Sequence, residues 1–185
     1  MTARSPTGWG GEPAPRIGFR PLAPDDLARV DRWLAEPHVA RWWPGGPGAG
    51  QREFGEVLAG GDPTRVFVIE LDGRPAGLIQ VYRLVEEPEY ERVVGVDEAA
   101  GLDLLIGEPE LVGRGLGPVV IDRFVAGVVW PGYSEVRRCM AGPSIANIRS
   151  QRAFEKVGFE RLRVVSVPGD ADAEVVMVLD RPAGA

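Results

Sequence analysis

The sequence has very few of the residues that bind soft metals or form disulfides. Its 185 residues include one cysteine, Cys139, and one histidine, His38. A single cysteine excludes an intramolecular disulfide, and the scarcity of both residue types argues against a Cys/His metal site. We therefore expect no metal ion and a reducing, cytoplasmic environment.

The sequence also lacks an excess of positive charge and any long apolar run. Its formal net charge is -6, which argues against nucleic acid, whose phosphates are bound by clustered lysine and arginine. No stretch reaches the roughly 18 apolar residues of a membrane span, and the N-terminus has no apolar signal segment. We expect a cationic partner, and neither nucleic acid nor a membrane.

The length and apolar content that are present fit one domain. A chain of 185 residues that is 44% hydrophobic is long enough to bury one core and short for two. The start of the chain, "MTARSPTGWGGEPAPR", shows no periodic apolar pattern. We expect a flexible segment over residues 1–15 and a single domain over residues 16–185.

Apolar periodicity alternates between the spacing of strands and that of helices, which predicts a mixed α/β fold. Asp72 and Gly73 separate two alternating apolar runs, a strong hairpin signal. Residues 86–98 are rich in acidic side chains and are predicted to form a loop. Strands are predicted at 16–22, 65–71, 75–85, 101–107, 135–141, 160–167 and 174–180, and helices at 23–37, 51–59, 116–129 and 144–158.

A glycine-rich turn, "LVGRGLGPVVIDRF", lies between a predicted strand and a predicted helix. Gly113, Gly115 and Gly117 would leave several backbone N–H groups unpaired at the positive end of the helix dipole, an arrangement that binds phosphate. Arg114 would add a charge at the rim. Similar turns also serve only to link a strand to a helix, so spacing alone leaves both interpretations open.

Two stretches together are more specific than the turn alone. The segment "GLDLLIGEPELVGRGLGPVVIDRF", followed by "GPSIANIRSQRAFEKVGFE", resembles the acetyl-CoA-binding half of the GNAT superfamily of N-acetyltransferases. With "HVARWW", "GLIQVY" and "GVDEAAGLDLLIG", the resemblance extends over roughly residues 17 to 180 and is to the aminoglycoside N-acetyltransferases that act on a 6'-amine. Siderophore-type acyltransferases share the early tryptophans and much of this layout.

The resemblance implies a fold, a cofactor and a set of contacts for that cofactor. The expected fold is a central, mixed, mostly antiparallel sheet that splays at the acetyl-CoA site and is flanked by helices. The glycine-rich turn would hold the pyrophosphate of coenzyme A, and the following helix would line the pantetheine arm. The cofactor residues implied are Leu104, Leu105, Ile106, Val112, Gly113, Arg114, Gly115, Leu116, Gly117, Asn147, Ser150 and Phe154.

Three positions depart from the pattern of the relatives. Val112 stands where the superfamily usually has Arg or Gln. Phe154 stands where many relatives have a tyrosine that can protonate the departing thiolate, which a phenyl ring cannot do; water or Ser150 would have to replace it, or the thiolate would leave unprotonated. Gly142 stands where the aminoglycoside branch tends to have an acidic residue.

Asp103 is the predicted catalytic base. It lies in "GLDLLIG" just before the turn, where the resemblance places the acetyl group and the amine. A carboxylate there can hold a substrate ammonium and take its proton as the thioester is attacked. The backbone N–H groups of residues 104–106 would polarise the thioester carbonyl. Without the resemblance, a solvent-facing strand residue is the alternative interpretation of Asp103.

Acidic and aromatic side chains are the candidates for binding a cationic acceptor. The acidic residues of 86–98 could steer a polycation or simply form a solvated surface. Of the adjacent tryptophans, we expect one to pack in the core and one to line the acceptor pocket. His38 and Cys139 are expected to pack rather than to react. The acceptor-binding residues predicted are Trp42, Trp43, Tyr82, Glu86, Glu87, Asp97, Asp103, Asp170 and Asp172.

The function that best combines these features is acetyl-CoA-dependent acetylation of a primary amine of an aminoglycoside, by direct transfer in a ternary complex. Two alternatives stay open: a siderophore-type N-acyltransferase acting on a hydroxylysine-like amine, and a non-catalytic acyl-CoA-binding protein. The sequence leaves open whether the protein is a monomer or a homodimer.

Overall fold

The computed structural model describes residues 15–43 and 48–183. The predicted flexible segment therefore lies outside the described residues, apart from its last position. Seven strands form one sheet in this part of the chain: β1 (Ile17–Pro21), β2 (Arg65–Leu71), β3 (Arg74–Arg83), β4 (Ala99–Ile106), β5 (Arg138–Ala141), β6 (Glu160–Val165) and β7 (Glu174–Asp180).

The strand order across the sheet is β1-β2-β3-β4-β5-β7-β6. Every neighbouring pair is antiparallel except β4 and β5, which run parallel. A parallel pair needs a crossover connection, and the chain between β4 and β5 supplies helices for it. The predicted mixed, mostly antiparallel sheet with a crossover in its second half is confirmed.

Helices cover both faces of the sheet. They are α1 (Leu27–Ala35), α2 (Pro37–Ala40), α3 (Ala49–Leu58), α4 (Pro88–Val94), α5 (Leu116–Phe124), α6 (Trp130–Gly132) and α7 (Ile148–Glu155). A π-helical segment, Val125–Val129, joins α5 to α6.

Strand β2 shows why the sheet needs helices on both sides. Val66 and Val68 are buried with α1 and α3, whereas Phe67 and Ile69 are buried with α5 and α7. Alternate side chains of a strand point to opposite faces, so a strand covered on both faces reads as a continuous apolar run. The run "RVFVIEL" is such a strand.

The predicted hairpin of β2 and β3 is confirmed. Leu71 is paired with Arg74 across the two-residue turn, and both turn residues have positive φ, 48° at Asp72 and 78° at Gly73. A turn with two positive φ angles matches the twist of the flanking strands and favours an Asp-Gly pair.

Two predicted boundaries are wrong. The acidic stretch 86–98 is not all loop, because it contains α4, which begins at Pro88 and ends at Gly95 in the left-handed conformation. Proline in the first turn followed by glutamates is a helix-start signal. Helix α7 begins at Ile148 rather than Ser144, because the Asn147 side chain accepts a hydrogen bond from the Ser150 N–H and caps the helix there.

Within residues 15–43 and 48–183, no helix has both the length and the apolar character needed to cross a membrane.

Candidate active site

The site is built where β4 and β5 part. The two strands pair only from Ala99 to Gly101 on β4, whereas β3 stays paired with β4 as far as Ile106. Beyond Gly101, β4 has no neighbour on its β5 side among the described strands. The separation leaves part of the β4 backbone open, as predicted for the acetyl-binding point of the sheet.

The open backbone groups belong to Leu104 and Ile106. His38 Nε2 donates a hydrogen bond to the Ile106 carbonyl over 2.8 Å, while the N–H of the next residue, Gly107, donates to the carbonyl of Ala76 in β3. Ile106 therefore turns its peptide groups away from β3, and alternation along the strand turns those of Leu104 the same way. Leu105, also predicted to donate here, directs its N–H towards β3 instead.

A cleft of about 710 Å³ opens at this separation. Its size is that of a small-molecule site. Five parts of the chain converge on it: β3 and β4, the start of α7, the tryptophan segment, and the segment that leads into β7. Its lining is Arg41, Trp42, Trp43, Glu53, Gln80, Leu102, Asp103, Leu104, Ala141, Gly142, Pro143, Ser144, Asn147, Ser150, Phe154, Gly169, Asp170, Ala171, Asp172 and Glu174.

Asp103 lies on the floor of the cleft, on the sheet face that also carries Leu105. Gln80, its partner across the strands, donates a side-chain hydrogen bond to Asp103 over 3.0 Å. Burial raises the pKa of Asp103, and hydrogen bonding from Gln80 and Tyr82 partly offsets the rise. A carboxyl with a raised pKa accepts a proton more readily, which suits a general base.

Tyr82 lies beside Asp103 but is not among the residues that line the cleft. Its ring crosses the backbone at Gly101, where a Cβ atom would collide with the ring carbon atoms. Burial raises the pKa of Tyr82 well above its ordinary value, so the hydroxyl stays protonated and acts as a donor. Tyr82 therefore donates a hydrogen bond to Asp103 but does not itself line the cleft.

The glycine-rich turn opens α5 as predicted. Gly113 and Gly115 have φ angles of 85° and 79°, and a Cβ at either position would meet no atom within 4 Å. Gly115 is the N-cap residue, with Leu116 and Gly117 in the first turn. The first N–H groups of a helix have no intrahelical acceptor, so this turn offers the open, donor-rich site that a pyrophosphate requires. Val112 and Arg114 flank it.

Helix α7 and the residue before it line the cleft, whereas Leu105, Ile106 and residues 112–117 are not part of the lining. Asn147, Ser150 and Phe154 all line the cleft. The Phe154 ring packs edge-on against Phe159 with 5.0 Å between centroids, so it contributes an apolar wall. The buried side chain of Gln151 donates to the carbonyls of Ser144 and Ile145 over 2.9 and 3.0 Å and fixes the loop before the helix.

Both tryptophans line the cleft. The Arg41 guanidinium lies 4.5 Å from the ring centre of Trp42. Trp43 Nε1 donates to Glu53 over 2.7 Å, and the Trp43 ring packs at 6.4 Å from that of Phe54 in the cluster of α1 and α3. We expected one tryptophan in the core and the other in the pocket. Trp43 instead lines the cleft and also packs against the core, while Trp42 lines the cleft.

The predicted acidic residues separate into two groups. Asp170 and Asp172 line the cleft, and Asp172 accepts a hydrogen bond from Ser144 Oγ over 3.1 Å. Glu86, Glu87 and Asp97 are not part of the lining. Glu86 instead accepts a hydrogen bond from Arg83 Nε over 2.9 Å. The acidic segment thus contributes none of its carboxylates to the lining of this cleft.

Two carboxylates of the cleft were not predicted from the sequence. Glu53 lies at its edge, where desolvation raises its pKa and the hydrogen bond from Trp43 opposes the rise. Glu174 begins β7 and accepts a hydrogen bond from the Tyr90 hydroxyl over 2.7 Å. Burial, opposed by the Tyr90 hydrogen bond and supported by nearby Asp103, raises the pKa of Glu174 to about 7.

The cleft is strongly acidic as a whole. Its lining contains five carboxylates and a single guanidinium, that of Arg41. A concave site with one sign of charge attracts ligands of the opposite sign. His38 and Cys139, expected to pack, do so: His38 bonds the Ile106 carbonyl, and Cys139 is fully buried in the core.

Comparisons with known proteins agree with this geometry. The profile of the Acetyltransferase (GNAT) domain matches residues 23–167. The aminoglycoside N(6')-acetyltransferase type 1 of Klebsiella pneumoniae is 30% identical over 177 residues, which is 90% of this chain and 84% of the relative. The lysine N-acyltransferase MbtK of Mycobacterium sp. (strain MCS) is 25% identical over 145 residues, 77% of this chain and 59% of the relative.

Solved structures show the same similarity in three dimensions. AAC(6')-Ib in complex with coenzyme A and kanamycin has a TM-score of 0.75 and 26% identity, over 90% of this chain and 95% of that one. The complex of the same protein with paromomycin and acetyl-CoA also has a TM-score of 0.75, with 27% identity over 89% and 93% of the two chains. This chain belongs to the GNAT acetyltransferase family and is an acyltransferase.

Proposed function

We propose that this protein transfers the acetyl group of acetyl-CoA to a primary amine of an aminoglycoside. The observation that carries the proposal is the acidic cleft centred on Asp103 at the point where β4 and β5 part. The similarity to aminoglycoside N(6')-acetyltransferases supports the same acceptor class. Aminoglycosides are polycations, and the charge of the lining is complementary to theirs.

The chain has a place for acetyl-CoA. The open turn at Gly113 and Gly115 would take the pyrophosphate, and the start of α7 would take the pantetheine arm along Asn147 and Ser150. Acetyl-CoA supplies an activated thioester. The N–H groups of Leu104 and Ile106, which point away from β3, would bind the thioester oxygen and stabilise the negative charge that develops on it.

Asp103 would hold the acceptor ammonium and remove its proton. The neutral amine then attacks the thioester carbon and an N–C bond forms. As the C–S bond breaks, coenzyme A leaves as a thiolate, and the nitrogen releases its second proton to water or to the thiolate to give the amide. Phe154 has no proton to give, so the thiolate leaves unprotonated or takes a proton from Ser150 or water. Holding both substrates together removes much of the entropic barrier, and the transfer needs no covalent enzyme intermediate.

The siderophore-type alternative is less compatible with the cleft. A hydroxylysine-like acceptor carries its own carboxylate, which the five acidic residues of the lining would repel. Arg41 is the one lining side chain that could pair with that carboxylate, and it lies over Trp42. Because the chain is similar to the lysine N-acyltransferase MbtK, a hydroxylysine acceptor is included in the test that follows.

The test is release of free thiol from acetyl-CoA with three acceptors: kanamycin, the acyclic polyamine spermidine, and N6-hydroxylysine. The proposal predicts saturable release with kanamycin and an acetylated product whose modified amine NMR identifies. Preferential release with N6-hydroxylysine would favour the siderophore-type reaction. Binding of acetyl-CoA without release for any acceptor would indicate a non-catalytic binding protein.

A further inference from the structure

The position of Glu174 depends on the absence of a side chain at residue 142. A Cβ built on Gly142 would collide with Glu174 Oε2 and would lie 2.5 Å from the Tyr90 hydroxyl. Gly142 is not among the glycines with positive φ, so its backbone could accept another residue. The space that its missing side chain leaves is filled by the carboxylate of Glu174.

One hydrogen bond holds that carboxylate, and two backbone hydrogen bonds fix the chain beside it. The Tyr90 hydroxyl of α4 donates to Glu174 Oε2 over 2.7 Å. On either side of Glu174, the backbone of the neighbouring loop is paired: Val175 donates to the Pro143 carbonyl over 2.9 Å, and Ile145 donates to the Ala173 carbonyl over 2.8 Å. The paired backbone on both sides fixes the position at which Glu174 presents its carboxyl group to the cleft.

The surroundings of Glu174 do not neutralise it. Its electrostatic neighbours are Asp103, Asp170 and the neutral Tyr90 hydroxyl, and both carboxylates raise its pKa. Among the ion pairs of the described residues, none involves Glu174. A partly buried carboxylate without a cationic partner is stabilised when a ligand supplies the cation.

We propose that Glu174 binds a second ammonium group of the acceptor while Asp103 takes the reacting one, so that the cleft selects acceptors with at least two amines. This rests on the proposed function, because it assigns two roles within the same acceptor site. Glu174 is a specificity-determining residue, positioned by Tyr90 and by the space at Gly142.

The first test compares two acceptors in the natural protein and in Glu174→Gln. Kanamycin carries several ammonium groups, and 6-amino-6-deoxyglucose carries one. We expect the KM for kanamycin to rise about tenfold in Glu174→Gln, a typical loss for one charge-assisted contact, with kcat within about twofold. The KM for 6-amino-6-deoxyglucose should stay within about twofold. Glu160→Gln, the same change on exposed β6, is the matched control.

A second test moves the carboxylate from one strand to the neighbouring loop. Gly142→Asp alone would force Glu174 out of its place, and Glu174→Ala alone would remove the charge, so both should raise the KM for kanamycin about tenfold. Gly142→Asp and Glu174→Ala combined should recover most of that loss when Tyr90→Phe is added, because the new carboxylate then occupies the space that Glu174 has left and the hydroxyl 2.5 Å from the new Cβ is gone. Circular dichroism checks that each variant is folded.

The outcomes separate the two proposals. If the natural protein acetylates kanamycin but Glu174→Gln leaves its KM unchanged, the role of Glu174 is refuted and the proposed function stands. If Glu174→Gln lowers kcat equally for both acceptors, Glu174 handles a proton rather than a second ammonium, which also refutes the role. If the natural protein acetylates neither amine, the proposed function itself fails.

Discussion

The two halves of the cleft are built in different ways. The cofactor half comes from two short contiguous segments, the run from β4 to α5 and the start of α7, and much of it uses backbone groups. The acceptor half is assembled from segments far apart in the chain: Trp42 and Trp43, Glu53 on α3, Gly142 before α7, and Asp170 to Glu174 around the start of β7. In this chain, backbone donors would bind the cofactor, and dispersed side chains would set the acceptor.

Substitutions in the two halves should therefore change different kinetic constants. Asp103 lies on the floor of the cleft, between the two halves, so its substitution should have the largest effect. Changes in the cofactor turn should act on acetyl-CoA alone, and changes in the acceptor wall should act on the amine alone.

Asp103→Asn should give the largest loss. The amide keeps the shape of the side chain and a partner for Gln80 but cannot accept a proton, so kcat should fall about 100-fold or more, with the KM for acetyl-CoA unchanged. Steady-state thiol release with kanamycin measures both constants. Asp122→Asn, the same change on exposed α5, serves as control. An unchanged kcat would exclude Asp103 as the base.

Gly115→Ala should act on the cofactor half alone. Alanine at a φ of 79° is strained although nothing blocks its methyl group, so the turn should shift and the KM for acetyl-CoA should rise about tenfold. The KM for kanamycin should not change. Gly127→Ala is the matched control, because a Cβ there also meets open space and its φ is not positive. Equal effects of both substitutions would contradict the role of the turn.

Glu174 should make stability depend on pH. Its pKa is about 7 in the folded protein against an ordinary 4.5, so the folded state binds the proton more tightly and loses stability as pH rises from about 4.5 to 7. Because Glu174 is only partly buried, solvent screening reduces the effect on the free energy of unfolding to about 1 kcal/mol. Over that range the Tm of the natural protein relative to Glu174→Gln should therefore fall by about 2–4 °C, as thermal unfolding can measure. Asp103, Asp170 and Tyr90 face Glu174 in both proteins. If the difference in Tm between the two proteins does not change with pH, the raised pKa assigned to Glu174 is contradicted.

The acidic segment outside the cleft should have the smallest effect. Glu87→Gln and Asp97→Asn remove exposed charges that do not line the cleft, so the KM for kanamycin should change less than about twofold. A change as large as that expected for Glu174→Gln would show that this segment, rather than the wall of the cleft, binds the polycation.

The cofactor half and the sheet could be predicted because their signals are local. The hairpin at Asp72 and Gly73 and the turn at Gly113 to Gly117 each follow from a few adjacent residues. The cap at Asn147 is equally local but was missed, because the helix was predicted to begin at Ser144. The parting of β4 and β5 after Gly101 is a property of the sheet, but the resemblance to the GNAT superfamily already placed Asp103 there.

The acceptor half was predicted only in part: Trp42, Trp43, Asp170 and Asp172 line the cleft, whereas Glu53 and Glu174 were missed because their contacts are not local. The Tyr90 hydroxyl and the Glu174 carboxylate meet across 84 positions in the chain, and nothing in "EVVMVLD" distinguishes Glu174 from an ordinary strand terminus. Gly142 was recognised as a departure from the pattern of the relatives. Only the structure shows that the carboxylate missing from that loop is supplied by the neighbouring strand.

The most direct measurement is a crystal structure of the protein with coenzyme A and kanamycin. The account predicts that one amine of kanamycin lies at the carboxylate of Asp103, directly or through one water molecule, and that a second ammonium lies within hydrogen-bonding distance of Glu174, with the pyrophosphate at Gly113 to Gly117. Kanamycin bound outside the cleft, or bound with no ammonium near Asp103, would contradict it.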